Sequence, residues 1–427
     1  MISKGQMTVA IIAVLALVVI VVATSDFNDE ADATTGNTWY IEHTNDNSIE
    51  LGEGYGTPED PLQVQLEGKN SGLWLEFWNK VQSGDTIYLM SSFQNIGLGK
   101  NVNIIGTNGI TVGSMGIYNY NDTFEDGLGS MSFDNVKFTG KIVLGSSSST
   151  PLSSYSFNRC TFDYTTATTI DRSVDIRCVY DVSFTNCVFD GAVGKGYWNT
   201  AMQVFEGGNS LAMTDCTFKN YLRGLDLQMF KNINVSKCTF DIIQSIDTTS
   251  AIAIQIKEDM TGANISISDN ILNSDAPTGV FLSVHENGNY NGVAPIVTVT
   301  GNSVVGFPTG ILYKASSNGE ICAIHINANR NYYSIDGSQG EMMTIVNKSS
   351  TMSIDGLVDN SEFYLNESMT ELNTDTAPGY EEDDDFPPFI PQQTTEDDDT
   401  TLYIACCAAA AVVALLAIII VMNERKR

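Results

Sequence analysis

A seven-residue unit recurs along this chain, and a chain built that way buries its apolar surface by stacking. The unit reads SFDNVKF (132–138), SFNRCTF (156–162), SFTNCVF (183–189), AMTDCTF (212–218), NVSKCTF (234–240), SISDNIL (266–272) and TVTGNSV (298–304). Its fifth position holds Val136, Cys160, Cys187, Cys216, Cys238, Asn270 and Asn302, at intervals of 24, 27, 29, 22, 32 and 32 residues. Units this small cover their apolar face only against the next unit. Apolar residues stand at positions 2, 5 and 7, as Phe157, Cys160 and Phe162 do. Strict alternation would place them at every second position, so each unit is a strand that bends sharply and restarts. Helix is excluded, because Ser, Thr, Asn and Phe dominate the units and Gly recurs between them. The fold class is all-β, a coiled stack of short parallel strands.

Ahead of the units stand GDTIYL (84–89) and KNVNIIG (100–106). With that entry segment, residues 83–364 resemble a right-handed parallel β-helix of the pectin-lyase-like class, whose first coils often open on such a pair. In SGLWLEFWNKVQ (71–82), Leu73, Trp74, Phe77, Trp78 and Val81 share one face of an amphipathic helix, with Ser71 as its N-cap. The resemblance implies that this helix plugs the open end of the coil, which makes both Trp residues cap rather than ligand site. Four cysteines on consecutive coils would stand about 4.8 Å apart, slightly beyond the ~3.5–4.5 Å between the Cβ atoms of a disulfide. A ladder of buried thiols fits that spacing best; vertical disulfides and a metal site stay open, although no CxxC pattern supports the last. Asn270 and Asn302 then resemble the asparagine ladder of this fold, while Cys178 and Cys322 lie off the column.

The ends place the chain. Lys4 precedes an apolar run over 7–23 that closes on Val21, Val22 and Ala23, so residues 1–23 read as a signal peptide or an uncleaved signal anchor. Residues 24–82 form an N-terminal segment with the capping helix, and 83–374 the β-helix. Residues 375–400 are acidic and proline-bearing, too polar for a core, and read as an extended stalk. The uncharged run over 401–422 is long enough to be a transmembrane helix, and the basic tail 423–427 orients it with the body outside. This C-terminal block (386–391, 405–414, 425–427) resembles the tails of adhesin-like surface proteins of methanogen-related archaea. The expected localisation is the cell surface, on a single-pass membrane protein with a cytoplasmic C-terminus.

A net charge of −30 excludes nucleic acid as a partner. No cofactor is called for, although so acidic an exterior could loosely hold divalent cations such as calcium. Sequons at Asn121, Asn347 and Asn366 are the glycosylation candidates; Asn234 and Asn264 also carry the motif but fall at strand starts. Catalytic signatures of polygalacturonases and pectate lyases are absent. The weak catalytic candidates are Asp171, Asp175 and Arg177 in DRSVDIR, where alternation sets them on one strand face, with Arg223 in YLRGLDL stacked one or two coils on. The bland reading of that row is solvent-facing charges pairing across coils. Tyr197 and Trp198, in the glycine-rich loop GAVGKGYWN (191–199), are ligand-binding candidates because exposed rings stack on sugars, unless both tuck back onto the coil. The leading expectation is a non-catalytic, adhesin-like surface protein that binds glycans or neighbouring cells. A membrane-tethered polysaccharide lyase or hydrolase is second, and a structural envelope component third.

Overall fold

In the computed structural model, residues 36–44, 56–66, 72–107, 109–117, 129–145, 154–166, 172–177, 179–192, 200–206, 208–241, 250–256, 260, 262–274, 279–286, 295–314, 325–334, 340–346, 358–359, 363–365 and 369–370 are described. All belong to the compact unit Met1–Glu381. Ser71, Asp171, Cys178, Tyr197, Trp198, Cys322, Asn121, Asn347 and Asn366 lie outside the described residues, as do segments 1–35 and 371–427. Among the described residues no helix is long and apolar enough to cross a membrane.

Each repeat unit contributes two strands separated by a corner. The strand before the corner joins a 13-stranded parallel sheet that includes Ser130–Asp134, Ser154–Asn158, Asp181–Thr185, Ser210–Thr214, Asn232–Ser236, Asn264–Ser268 and Ile296–Thr300. The short strand after it, such as Thr161–Asp163 or Val188–Asp190, begins a second ladder. A third ladder follows in every coil, through Arg172–Arg177, Thr200–Glu206, Arg223–Gln228, Ser250–Ile256, Val280–Glu286 and Thr309–Lys314. Every described strand pairing is parallel, and the chain therefore winds as a parallel β-helix; parallel crossovers of this kind are almost always right-handed. The first ladder starts earlier than the sequence implies, because Thr38–His43 pairs with Thr86–Leu89 and Leu62–Val64 pairs with Thr38–His43.

The corner explains the spacing of the unit. Position 4 is left-handed in coil after coil: Asn135, Arg159, Asn186, Asp215, Lys237, Asp269 and Arg330 have φ between 53° and 55°, and Gly301 has 68°. That turn brings the side chains at positions 2, 5 and 7 all inward. For a residue other than glycine it costs roughly 1–2 kcal/mol, and backbone hydrogen bonds on both sides of the corner offset it. The Arg159 N–H donates to Thr185 O at 3.0 Å in the next coil, and the Thr161 N–H donates to Val136 O at 3.0 Å in the previous one. The same pair of bonds recurs at Asn186 and Val188, and at Asp215 and Thr217. Arg330 and Asn331 mark an eighth unit, NANRNYY (327–333), with Ala328, Asn331 and Tyr333 buried at positions 2, 5 and 7.

Identical residues stack on themselves inside the coil. Phe133, Phe157 and Phe184 stack at 4.8 Å between centroids, and Phe162, Phe189, Phe218 and Phe240 at 4.5–4.6 Å. Cys160, Cys187, Cys216 and Cys238 are free and buried at the corner between these columns. Each thiol donates to the carbonyl two residues back, as Cys187 Sγ does to Thr185 O at 3.4 Å. From Asn270 an amide takes over and bonds across coils: Asn270 Nδ2 donates to Val235 O at 3.0 Å and to Asn302 Oδ1 at 2.9 Å. Asn302 repeats this with Ile267 O and Asn331 Oδ1, both at 2.9 Å. Hydrogen bonding with Cys160 and Cys216, and then burial, pushes the Cys187 thiol up; Cys216 and burial do the same for Cys238. Protonated buried thiols are poor nucleophiles.

One helix, α1 (Gly72–Lys80), covers the start of the coil. Trp74, Phe77, Trp78 and the following Val81 are at most 1 % exposed, and Trp74 Nε1 donates to Gly97 O at 2.9 Å. The GDTI segment is explained by Asp85, a buried carboxylate that accepts the N–H groups of Asn37 and Gln82 and the Trp39 indole, at 2.7–2.9 Å. It ties the first coil to the segments on either side of it.

Two outcomes test this packing. Phe189→Ala, which empties a slot between two stacked rings, is expected to lower unfolding stability by about 3–5 kcal/mol in denaturant titration; a loss under 1 kcal/mol would contradict the inward column. Alkylation of the native chain with N-ethylmaleimide should leave Cys160, Cys187, Cys216 and Cys238 unmodified in peptide mapping until denaturant is added. Rapid labelling of any of the four would remove it from the core.

Candidate functional site

The strand RSVDIR (Arg172–Arg177) lies in register with Thr200–Glu206, which in turn lies in register with Arg223–Gln228. Val174, Ile176, Met202, Val204, Leu225 and Leu227 are fully buried in the core. Asp175, Gln203 and Asp226 are register partners in the alternate position, which alternation assigns to the outer side. The two carboxylates are nevertheless buried: Asp175 is 0 % and Asp226 3 % exposed. This corrects the expectation of a solvent-facing row of charges. Cationic side chains gather round the carboxylates and shield them.

Asp175 has three such neighbours. Lys141 Nζ is 2.7 Å and Arg177 Nη2 3.4 Å from Oδ2, and Arg172 Nη1 is 3.6 Å from Oδ1. Asp226 accepts from Arg223 Nη1 at 2.8 Å, from Gln203 Nε2 at 3.2 Å and from Gln255 Nε2 at 3.0 Å. Arg172 and Arg177 also lie over the half-buried ring of Phe205, 4.6 and 5.1 Å from its centroid. Lys141 and Arg177 are about 40 % exposed, so each pair on its own is worth only about 0–1 kcal/mol. Their joint effect is larger, because without them Asp175 would be an uncompensated buried charge. Asp175 Oδ1, Arg177 Nε and Arg223 Nε are buried and have no hydrogen-bond partner among the described residues.

The strand that carries Asp175 is fixed by two buried tyrosines. Tyr164 OH donates to Gly140 O and lies 2.9 Å from Ser173 O, and Ser173 Oγ bonds Tyr221 OH at 2.7 Å. Burial pushes both phenols up, Tyr164 with a further push from Tyr221, so they remain neutral at physiological pH. Gly224, beside Arg223, lets two coils approach: a Cβ there would meet Ala251 O and the Phe240 ring at 2.8 Å.

Of the residues singled out in the sequence, Asp175 and Arg177 pair with each other, while Arg223 pairs with Asp226 two coils on. Asp171, Tyr197 and Trp198 lie outside the described residues. Lys141, Arg172, Phe205, Gln203 and Gln255 complete the cluster and were not singled out. Arg172, Arg177 and Arg223 are three of the five arginines between residues 24 and 400, and that concentration was a signal available in the sequence. Among the described residues no group of three or more His, Cys, Asp and Glu side chains is arranged to hold a metal ion. The sequon residues Asn234 and Asn264 are exposed on neighbouring strands of the first ladder.

No family model matches this chain, and no curated protein does. Among solved structures, the GH136 lacto-N-biosidase of Eubacterium ramulus is similar at 11 % identity and a TM-score of 0.23, covering 80 % of this chain and 70 % of that one. A likeness at that level carries no argument about activity.

Asp175→Asn should lower stability by about 1–3 kcal/mol, since it removes charge-assisted contacts and leaves three cations crowded together. Because that crowding is partly exposed, raising NaCl from 0.05 to about 0.5 M should recover part of the loss in thermal melts. A salt-independent loss would show that the cations are not what Asp175 balances.

Proposed function

We propose that this chain is a non-catalytic surface protein whose β-helix binds glycans through the outer side of its third ladder. The observation that carries the reading is the state of the two carboxylates. Acid–base chemistry on a saccharide needs a carboxylate free to take or give a proton beside the scissile bond. Asp175 is occupied by three cations and Asp226 by Arg223 and two amides. What they hold outward is a set of guanidinium, ammonium and amide donors beside one aromatic ring, a combination suited to holding a sugar rather than cleaving it.

The placement at the cell surface belongs to the same proposal. The signal-like run over 7–23, the acidic segment 375–400 and the uncharged run over 401–422 with its basic end would export the body and hold it outside, with the Tyr197–Trp198 loop as a second contact. In this reading the protein is adhesin-like: each site binds weakly, and many copies on one surface make the binding useful.

The test is a glycan array probed with the full-length chain, with the bound polysaccharides assayed in parallel for new reducing ends and unsaturated uronates. Binding without cleavage is the expected result. Cleavage abolished by Asp175→Asn would replace the reading with a lyase or hydrolase. No binding and no cleavage would leave a structural envelope role ahead.

A further inference from the structure

We propose that the column of Cys160, Cys187, Cys216 and Cys238 is a redox lock on folding. A coil that closes with these thiols reduced shields them from oxidants, and a chain oxidised at them before it folds cannot close. This goes beyond the glycan-binding reading and does not depend on it. The first half of the lock rests on burial. All four thiols are free and at most 1 % exposed, so a dissolved oxidant reaches them only when the coil opens. Each also donates to the carbonyl two residues back, and a bridged sulfur would leave that buried acceptor without its donor.

The second half rests on spacing. Neighbouring members stand one coil apart: the Val188 N–H donates to Cys160 O, Thr217 N–H to Cys187 O and Thr239 N–H to Cys216 O, at 2.8–2.9 Å. Cβ atoms one coil apart and side by side are about 4.8 Å from each other, whereas a disulfide holds them about 3.8 Å apart. Bridging would therefore pull two corners together by about 1 Å. Stacked rings on either side of the column resist that. Phe157 and Phe184 are 4.8 Å apart and Phe162 and Phe189 4.5 Å, already in contact, beside Cys160 and Cys187. The stack continues at 4.6 Å through Phe218 and Phe240, beside Cys216 and Cys238. Members two coils apart, at about 9.6 Å, are out of reach.

The unfolded chain has no such restraint. Its column cysteines are separated by 27, 29 and 22 residues, and loops of that length close readily. One thiolate attacks a small disulfide such as glutathione disulfide and releases one glutathione thiol; a second cysteine then displaces the other. Two cysteine thiols become one cystine, and the oxidant is reduced to two thiols. Because only the unfolded state reacts, oxidation draws the chain away from the fold.

The full-length chain, unfolded in guanidinium chloride with glutathione disulfide or with dithiothreitol and then diluted, tests this. Circular dichroism reads the recovery of β structure, and peptide mapping locates any bridges. The expected result is loss of refolding in the oxidised sample, restored by dithiothreitol, while folded chain given the same oxidant without denaturant keeps its four thiols and its spectrum. A variant with Cys160→Val, Cys187→Val, Cys216→Val and Cys238→Val uses the residue that Val136 already places in this column, and it should refold equally with either reagent. Full recovery of an oxidised chain that carries column bridges would overturn the proposal. So would oxidation of the four thiols in folded chain, or equal arrest of the valine variant, which would move the effect to cysteines off the column. Should that variant not fold, the map of the arrested wild-type chain decides: bridges among the column members support the lock, and bridges only elsewhere overturn it.

Discussion

Everything in this fold depends on one corner. At position 4 of each unit the backbone enters a conformation that most side chains avoid, and the hydrogen bonds that repay it run to the coils above and below. A single unit therefore could not hold its own corner. The cost is local and the compensation comes from neighbours, which couples the coils and makes the stack cooperative along its length. Asn and Asp fill the corner in several coils, as their short side chains tolerate it; Arg159, Lys237 and Arg330 hold it without that help, so at those corners the burden falls on the cross-coil bonds.

The corner also determines what can stand at position 5. The side chain there turns inward beside backbone carbonyls that need donors. A thiol supplies one weak donor and an amide supplies two strong ones plus an acceptor. The column changes from Cys to Asn at Asn270, where Asn270 Oδ1 takes the Cys238 N–H at 2.8 Å and joins the two halves. Sulfur fills volume against the stacked Phe rings of the first half. Beside Asn270 and Asn302 the rings give way to Leu272 and Val304, a ring returning only at Tyr333, and the amide chain binds the coils by hydrogen bonds instead.

These features explain how much of the structure was legible in the sequence. The unit carries two strands and the corner in seven contiguous residues, so periodicity exposed the first two ladders and the inward columns. The eighth unit escaped because Ala328 stands where other units have a larger apolar residue at position 2. The third ladder was harder to read. It follows segments of varying length, so Asp175, Gln203 and Asp226 share a register although they stand 13, 14 and 8 residues beyond Phe162, Phe189 and Phe218. No spacing rule links them, and Lys141 and Phe205 enter the cluster only through three-dimensional proximity. The capping helix was visible because its apolar face repeats at helical spacing.

The electrostatics of the cluster follow from this geometry. Parallel coils bring register partners within reach whatever the loops between them do, so a charge on one strand is answered on the next or the one after. Asp175 and Asp226 sit where the ladder leaves little room for water and draw in cations from three coils. At physiological salt the bulk negative charge is screened over about 8 Å, while the cluster acts at contact distance. The buried carboxylates thus act as anchors for the cations around them, a use of the register column that holds Asp175 and, two coils on, Asp226.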